Sequence, residues 1–336
     1  MSLTTQAIVL DHRPGKNVVA EALRMTELAM EAPVEGEVLV AVRILSLDPY
    51  QRLILDEPTL VGVPLPLGAV VPGRGVGEVI ESRDDAFKTG DLVFGEFGWR
   101  QRAVMPAASL RPVKPLDGKL TWELGVLGMP GVTASIALGK IGNLKAGEEV
   151  LVSSAAGAVG STAGQIAKAA GCRIVGIAGG SDKVRQLANL GFDATLDRRA
   201  AVPLDAAIDE AMPEGIDVYF DNVGGKTLEL ALQRMKPGGR VILCGQLSQY
   251  GTAGSATLCD SGLILGKRLR IEGFSVRDHF DAVATHSALL RGLAVDGSLS
   301  QLETIFHGLE AGPSGLASML AGECIGKSIV KIMQSD

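Results

Sequence analysis

The segment Val150-Leu-Val-Ser-Ser-Ala-Ala-Gly157-Ala-Val-Gly160-Ser-Thr-Ala-Gly164 constrains the fold more than any other stretch of the chain. An apolar run stops at a small-residue turn and passes straight into helical spacing. Gly157 lets the backbone approach a bound pyrophosphate, and Gly160 lets the helix pack closely on the strand. Val159, Ala163, Ile166, Ala167 and Ala170 fall on one stripe of that helix. The helix N-terminus at Gly157, Ala158 and Val159 presents free N–H groups to an anion. Ala155 stands where the usual pattern has its first glycine, so the motif is a variant. The context supports it, because a strand precedes the turn and a second strand arrives on time.

The rest of the central region agrees. Apolar runs at 150–153, 173–178, 216–221, 240–245 and 269–274 alternate with helical stretches. Continuous apolar runs separated by helices predict buried parallel strands in a doubly wound α/β sheet. A further helix is expected over Asp278–Val295. The first third reads differently, as short strands broken by Pro and Gly. Val38, Val40 and Val42 alternate within 37–43 as one buried strand face would, and 75–81 and 91–94 look similar. This predicts a mostly β domain, a partly open barrel being one form open to it. The run 325–332 reads as a strand returning to that domain. The expected division is residues 1–126 with 300–336, and 127–299; a chain of 336 residues suits two domains.

The end of the second strand selects the ligand. A dinucleotide site for NAD usually carries Asp or Glu about 20 residues after the glycines, on the ribose hydroxyls. Here that place holds Ala178, followed by Gly179, Gly180, Ser181, Asp182 and Lys183. Asp182 comes too late and is expected to cap a helix. With no acid, and with Ser181 and Lys183 as donors, the site suits a 2′-phosphate. NADPH is the expected cofactor.

Composition narrows the classes further. A net charge of −6 argues against nucleic acid or an anionic membrane as partner. No apolar run reaches the roughly 18 residues of a membrane span, and the first 15 residues do not read as a signal peptide. Cys172, Cys244, Cys259 and Cys324 stand far apart, as expected in a reducing cytoplasm.

With these motifs, four more segments resemble the zinc-independent branch of the medium-chain dehydrogenase/reductases. They are Leu45-Ser-Leu-Asp-Pro-Tyr50-Gln-Arg52, Gly128-Met-Pro-Gly-Val-Thr-Ala134, Phe220-Asp-Asn222-Val-Gly-Gly225 and Cys244-Gly-Gln-Leu-Ser-Gln-Tyr250. That branch holds prostaglandin reductases, leukotriene hydroxydehydrogenases and alkenal or curcumin double-bond reductases. The resemblance implies a Rossmann domain, a GroES-like catalytic domain built from both chain ends, and a homodimer. It places Met129, Thr133, Asn222, Cys244 and Gly245 along the cofactor, with Tyr50 and Tyr250 facing the substrate. Two departures stand out. Cys324 occupies the place of a family Asn, and Arg198 that of a Tyr beside the 2′-phosphate, where a guanidinium still suits the geometry.

The resemblance also frames the chemistry. No cysteine precedes Cys172, and the first domain's one histidine is His12. Thiolate and imidazole ligands for a tetrahedral zinc cannot be assembled there. His279, His286 and His307 sit in helical-looking surroundings with ordinary packing roles. The expected reaction is reduction of the C=C bond of α,β-unsaturated aldehydes and ketones. Hydride adds at the β-carbon, and charge spreads onto the carbonyl oxygen, where a donor stabilises it. Tyr250 or a ribose hydroxyl is that donor, and Tyr50 orients the substrate. A quinone reductase and an idle NADPH-binding scaffold are the alternatives. The loops at 56–67 and 248–260 would shape the substrate pocket.

Overall fold

The computed structural model describes residues 3–15, 19–57, 59, 62–250 and 260–332. Cys259 and most of the loop expected at 248–260 lie outside them, as do three residues of the loop at 56–67. The chain divides into two compact units, Met1–Leu124 with Glu303–Asp336, and Gly125–Leu302.

The first unit opens with β1 (Leu3–Leu10) paired antiparallel to β2 (Leu23–Met30). Then come β3 (Glu37–Ser46), the short α1 (Tyr50–Leu55), β4 (Gly75–Ser82), β5 (Leu92–Gly95), β6 (Arg102–Pro106) and β7 (Arg111–Pro112). The valines at 38, 40 and 42 are fully buried, as their alternation predicts, but Leu39 and Ala41 are buried too. β3 lies inside the sheet, bonded to β4 and β6 and to a strand from the far end of the chain. Its neighbours close its two edges, and burial of consecutive residues from Val38 to Val42 shows that both faces are covered as well, so alternation understates its burial.

The second unit carries six parallel strands: β8 (Glu149–Val152), β9 (Arg173–Ala178), β10 (Ala194–Asp197), β11 (Ile216–Asp221), β12 (Met235–Leu243) and β13 (Arg270–Gly273). They lie in the order β10-β9-β8-β11-β12-β13. Renumbered within the unit this is 3-2-1-4-5-6, the Rossmann arrangement, with its reversal between β8 and β11. The helices are α2 (Met129–Ile136), α3 (Ala158–Ala169), α4 (Ser181–Asn189), α5 (Leu204–Ala211), α6 (Gly225–Arg234), α7 (Ser261–Lys267) and α8 (Val283–Val295). The sheet core is Leu151, Val175, Ile177, Tyr219 and Val241 with the helix residues Ile208, Leu228 and Leu232.

The chain then returns to the first unit as β14 (Glu303–His307), α9 (Gly312–Leu320) and β15 (Lys327–Lys331). β15 pairs antiparallel with β3, Val330 opposite Leu45, which is the returning strand expected at 325–332.

Four local expectations need correction. Ala170 is exposed and caps the end of α3, and Val159 is only half-buried, while Ser161, Thr162, Gly164 and Gln165 are buried with Ala163, Ile166 and Ala167 of the expected stripe. α3 is enclosed by more than the sheet: its Gln165 amide donates to Ser300 O at 3.0 Å. Asp182 does not cap α4; Gly180 is the N-cap, and Asp182 pairs with Arg185 at 2.6 Å. The helix expected over 278–295 is broken at His279 (φ −135°, ψ 31°), and α8 begins at Val283. His307 ends a strand and is not helical.

Candidate functional site

The glycine turn fixes the end of β8 from both sides. Ala155 N donates to Ile177 O on β9 at 2.9 Å, and Ser153 Oγ accepts Asn222 N at 2.9 Å at the end of β11. Ser154 takes a left-handed φ of 48°, uncommon for a residue other than glycine. A methyl at Gly160 would lie 2.4 Å from Ser154 O and 2.8 Å from Ala155 Cα, so only glycine permits this approach of helix to strand. Gly157 is the N-cap of α3, and no side chain caps the helix. Its first N–H groups are left to an external acceptor, and the helix field there favours an anion.

The next strand end supplies charge. A methyl on Gly179 would stand 3.1 Å from Arg198 Nε and 3.2 Å from Arg199 Nε, so two guanidiniums lie over the backbone where β9 stops. Arg198 N donates to Ala178 O at 2.9 Å. Asp197 Oδ1 accepts Gly180 N at 2.7 Å and Arg199 N at 2.8 Å. Those two backbone donors hold the Asp197 carboxyl below the usual range. Asp197, at this edge, is thus engaged in shaping it, and Asp182 in the next turn is paired with Arg185. Ser181 and Lys183 stand in the first turn of α4, which follows. Together the turn and the guanidiniums fit a pyrophosphate and a phosphorylated ribose.

Between β8 and β11, where open α/β sheets bind their ligands, lies a buried polar cluster. Asp221 Oδ1 accepts Ser153 Oγ and Tyr219 Oη, each at 2.8 Å, and the N–H groups of Val223 and Gly224, each at 3.0 Å. Asp221 is wholly buried. Burial first, and then Asp221, push the Tyr219 phenol well above its ordinary value. Asn222 is held by its own amide, whose Nδ2 donates to Ser153 O at 2.8 Å. Cys244 N and Gly245 N both donate to Asp221 O, at 2.9 and 3.0 Å. Burial and Asp221 push the Cys244 thiol up to about 12, so it stays protonated and inert. The structure therefore brings Asn222, Cys244 and Gly245 to one strand edge. Tyr250 follows them, half-buried, its phenol raised by burial and by Cys244 while Gln246 N–H donates to its oxygen. On α2, Met129 and Thr133 are the two residues left unburied, one turn apart on one face.

In the first unit, Tyr50 is the opening residue of α1, half-buried. Lys327 Nζ donates to Leu47 O at 2.6 Å and to Asp48 Oδ1 at 2.8 Å. Burial alone would raise the Asp48 carboxyl, but the Lys327 charge and the Lys327 and Ser46 hydrogen bonds outweigh it and hold it low. Cys324 is a half-buried free thiol beside Ile325, which Thr304 Oγ1 holds at both its N–H and its carbonyl.

Sequence reasoning missed Arg199, Asp197 and the Ser153–Tyr219–Asp221 cluster. The run Asp197-Arg-Arg was a readable sign of the first two. The cluster joins two strands 68 residues apart and had no local sign. Among the described residues no group of three or more His, Cys, Asp or Glu could hold a metal ion, and no helix is long and apolar enough to cross a membrane.

Comparison with known proteins places these features. Residues 6–113 match the family model of an N-terminal domain of oxidoreductase, and residues 158–291 that of a zinc-binding dehydrogenase. A 2-alkenal reductase (NADP(+)-dependent) of Nicotiana tabacum is 37% identical over 88% of this chain and 88% of its own. Prostaglandin reductase 1 of Rattus norvegicus is 39% identical over 92% and 93%. The crystal structure of CurA in complex with NADPH from Vibrio vulnificus superposes with a TM-score of 0.92 at 33% identity, covering 98% of this chain and 100% of that one.

Proposed function

The chain belongs to the zinc-independent medium-chain dehydrogenase/reductases, in the branch of the prostaglandin, alkenal and curcumin reductases, and we propose that it reduces the C=C bond of α,β-unsaturated aldehydes and ketones with NADPH. The observation that carries this reading is the strand edge at Gly179. Two guanidiniums stand where a 2′-phosphate would have to be recognised, and the carboxylates described beside them are engaged, Asp197 by backbone N–H groups and Asp182 by Arg185.

In this reading the Gly125–Leu302 unit is the nucleotide domain and the other unit is catalytic. Gly157, Ala158, Val159 and Gly160 hold the pyrophosphate. Gly179, Ser181, Lys183, Arg198 and Arg199 hold the ribose phosphate. Met129, Thr133, Asn222, Cys244, Gly245 and Cys324 flank the nicotinamide half. NADPH, when bound, supplies a hydride. The protein's part is to orient the enone and to stabilise the charge that collects on its carbonyl oxygen. Tyr250 donates a hydrogen bond to that oxygen, its raised phenol remaining protonated throughout the neutral range. Tyr50 orients the substrate, and water protonates the α-carbon.

The protein would act as a homodimer in the cytoplasm. Among the described residues β13 ends the sheet with its outer edge unpaired, and Leu265 and Phe280 of the same unit are exposed. Light scattering on the purified protein tests the dimer. The reaction is tested by NADPH oxidation against an aliphatic enal, an aryl enone, a quinone and a saturated aldehyde, with products identified. Saturated carbonyl products from the enal or enone support the reading. Turnover of the quinone alone refutes it.

A further inference from the structure

A short helix cannot hold its own position. α1 has six residues, its N-cap is Pro49, and no side chain caps it; isolated helices of this length are unstable in water. What fixes its first residue, Tyr50, must come from outside the helix. The surroundings supply it in layers. Asp48 N–H donates to Gln51 Oε1 at 2.9 Å, and Gln51 Nε2 donates to Pro72 O at 2.9 Å. Asp48 Oδ2 accepts Ser46 Oγ at 2.6 Å. Asp48 and Gln51 thus bracket Pro49 and Tyr50. The bracket in turn hangs on Lys327, which arrives from the far end of the sequence on β15 and is the cation bonded to Asp48, with Arg74 acting on that carboxyl through its charge alone. Lys327 is 2% exposed and spends its charge on Leu47 O and Asp48 Oδ1. Ser328 O, next along β15, accepts Leu47 N at 3.1 Å.

A lysine withdrawn so far from water carries a large desolvation cost, which a plain sheet contact between β15 and β3 would not require. The return is placement. Lys327 fixes the two residues from which Pro49 and Tyr50 project.

We infer that Lys327 is a positioning residue for the reaction: through Leu47 and Asp48 it sets where Tyr50 presents to the substrate. The inference rests on the reading above, in which Tyr50 orients the enone. It assigns to the C-terminal strand a role in turnover that is separate from holding the cofactor's phosphates, since the residues proposed for those belong to the other unit.

The test uses the full-length protein and an aryl enone. Lys327→Met is expected to lower kcat/KM on the order of 10- to 100-fold, as displaced orienting groups do. Calorimetric affinity for NADPH should stay within about twofold, a change near the additivity limit for distant sites. Lys327→Arg, which keeps a cation on the strand, should recover part of the loss. Combined with Tyr50→Ala, Lys327→Met should add little, because both disable one device. If Lys327→Met does not fold, Asp48→Asn serves instead. It keeps an acceptor for Nζ and removes the charge, and the same pattern is expected of it.

Equal losses of NADPH affinity and enone turnover would mean a structural role only and would overturn the inference. So would full additivity with Tyr50→Ala. Wild-type turnover by Tyr50→Ala alone would remove Tyr50's role, and the inference with it. Additivity with an impaired Tyr50→Ala would leave that role standing and remove only the part given to Lys327.

Discussion

Arg198 and Arg199 offer the sharpest test of cofactor recognition. Both are exposed, and both bring Nε within 3.1–3.2 Å of the point where a methyl on Gly179 would stand. A hydrogen bond to a charged group contributes about 1.5–3 kcal/mol, and solvent exposure puts each of these at the lower end. That is roughly tenfold in affinity for each arginine. Two neighbours on one phosphate are coupled, so the double alanine variant should lose somewhat less than the roughly hundredfold product, about 30-fold. Calorimetric titration with NADPH and NADH separates this contact from general damage, because NADH lacks the phosphate. The expected outcome is weakened NADPH binding, NADH binding within about twofold, and a flatter dependence of NADPH affinity on salt. Equal losses for both cofactors would show that the arginines merely support the edge of β9. No loss at all would place the 2′-phosphate elsewhere.

Other outcomes follow from the same geometry. Tyr250→Phe should lower kcat on enones by about 100-fold, the scale of losing one donor to a developing oxyanion. The alkaline limb of the wild-type rate should fall later than for an ordinary tyrosine, because the phenol is raised. A methyl on Gly164 would lie 2.0 Å from Phe192 Cζ, so Gly164→Ala should cost roughly 1–3 kcal/mol of stability by overpacking. Phe192→Leu in the same chain should restore part of the melting temperature. Asp48 is held below its ordinary value, so around that value the unfolded chain binds the extra proton and stability rises with pH. Its contribution should be complete at neutral pH and lost as pH falls through the depressed folded value. Denaturant midpoints along an acid series should show the loss, and Asp48→Asn should flatten it.

The parts of this molecule that local chemistry dictates were legible without coordinates. β8, β9 and β11 are largely apolar and buried, and the turn at Gly160 needs a residue without a side chain, whereas β13, expected as a buried run, is Arg270-Ile-Glu-Gly273 and mostly exposed at the sheet edge. β10 does not stand out as an apolar run, because Ala194-Thr-Leu-Asp is short and half polar. It exists because the edge of β9 needs a partner, and its four residues pair with Val175–Ala178. The same division runs through the candidate site. Arg198 was visible as a cation near the right strand, whereas the convergence of Arg199 with it depends on the fold of one turn that Asp197 holds through two backbone bonds. Tyr50 was visible as one residue of a motif, but the lysine that fixes its loop stands 279 residues from Asp48. Side chains that meet ligands are read from residue type and spacing. Those that hold the first set in place are chosen by contacts between distant segments. Lys327 and Asp221 belong to this second class, and both are charged side chains that would be costly to bury unless the fold brought them partners. A buried charge with several well-placed hydrogen bonds is therefore where a structure adds most to what the sequence tells, and where substitutions should separate placement from chemistry.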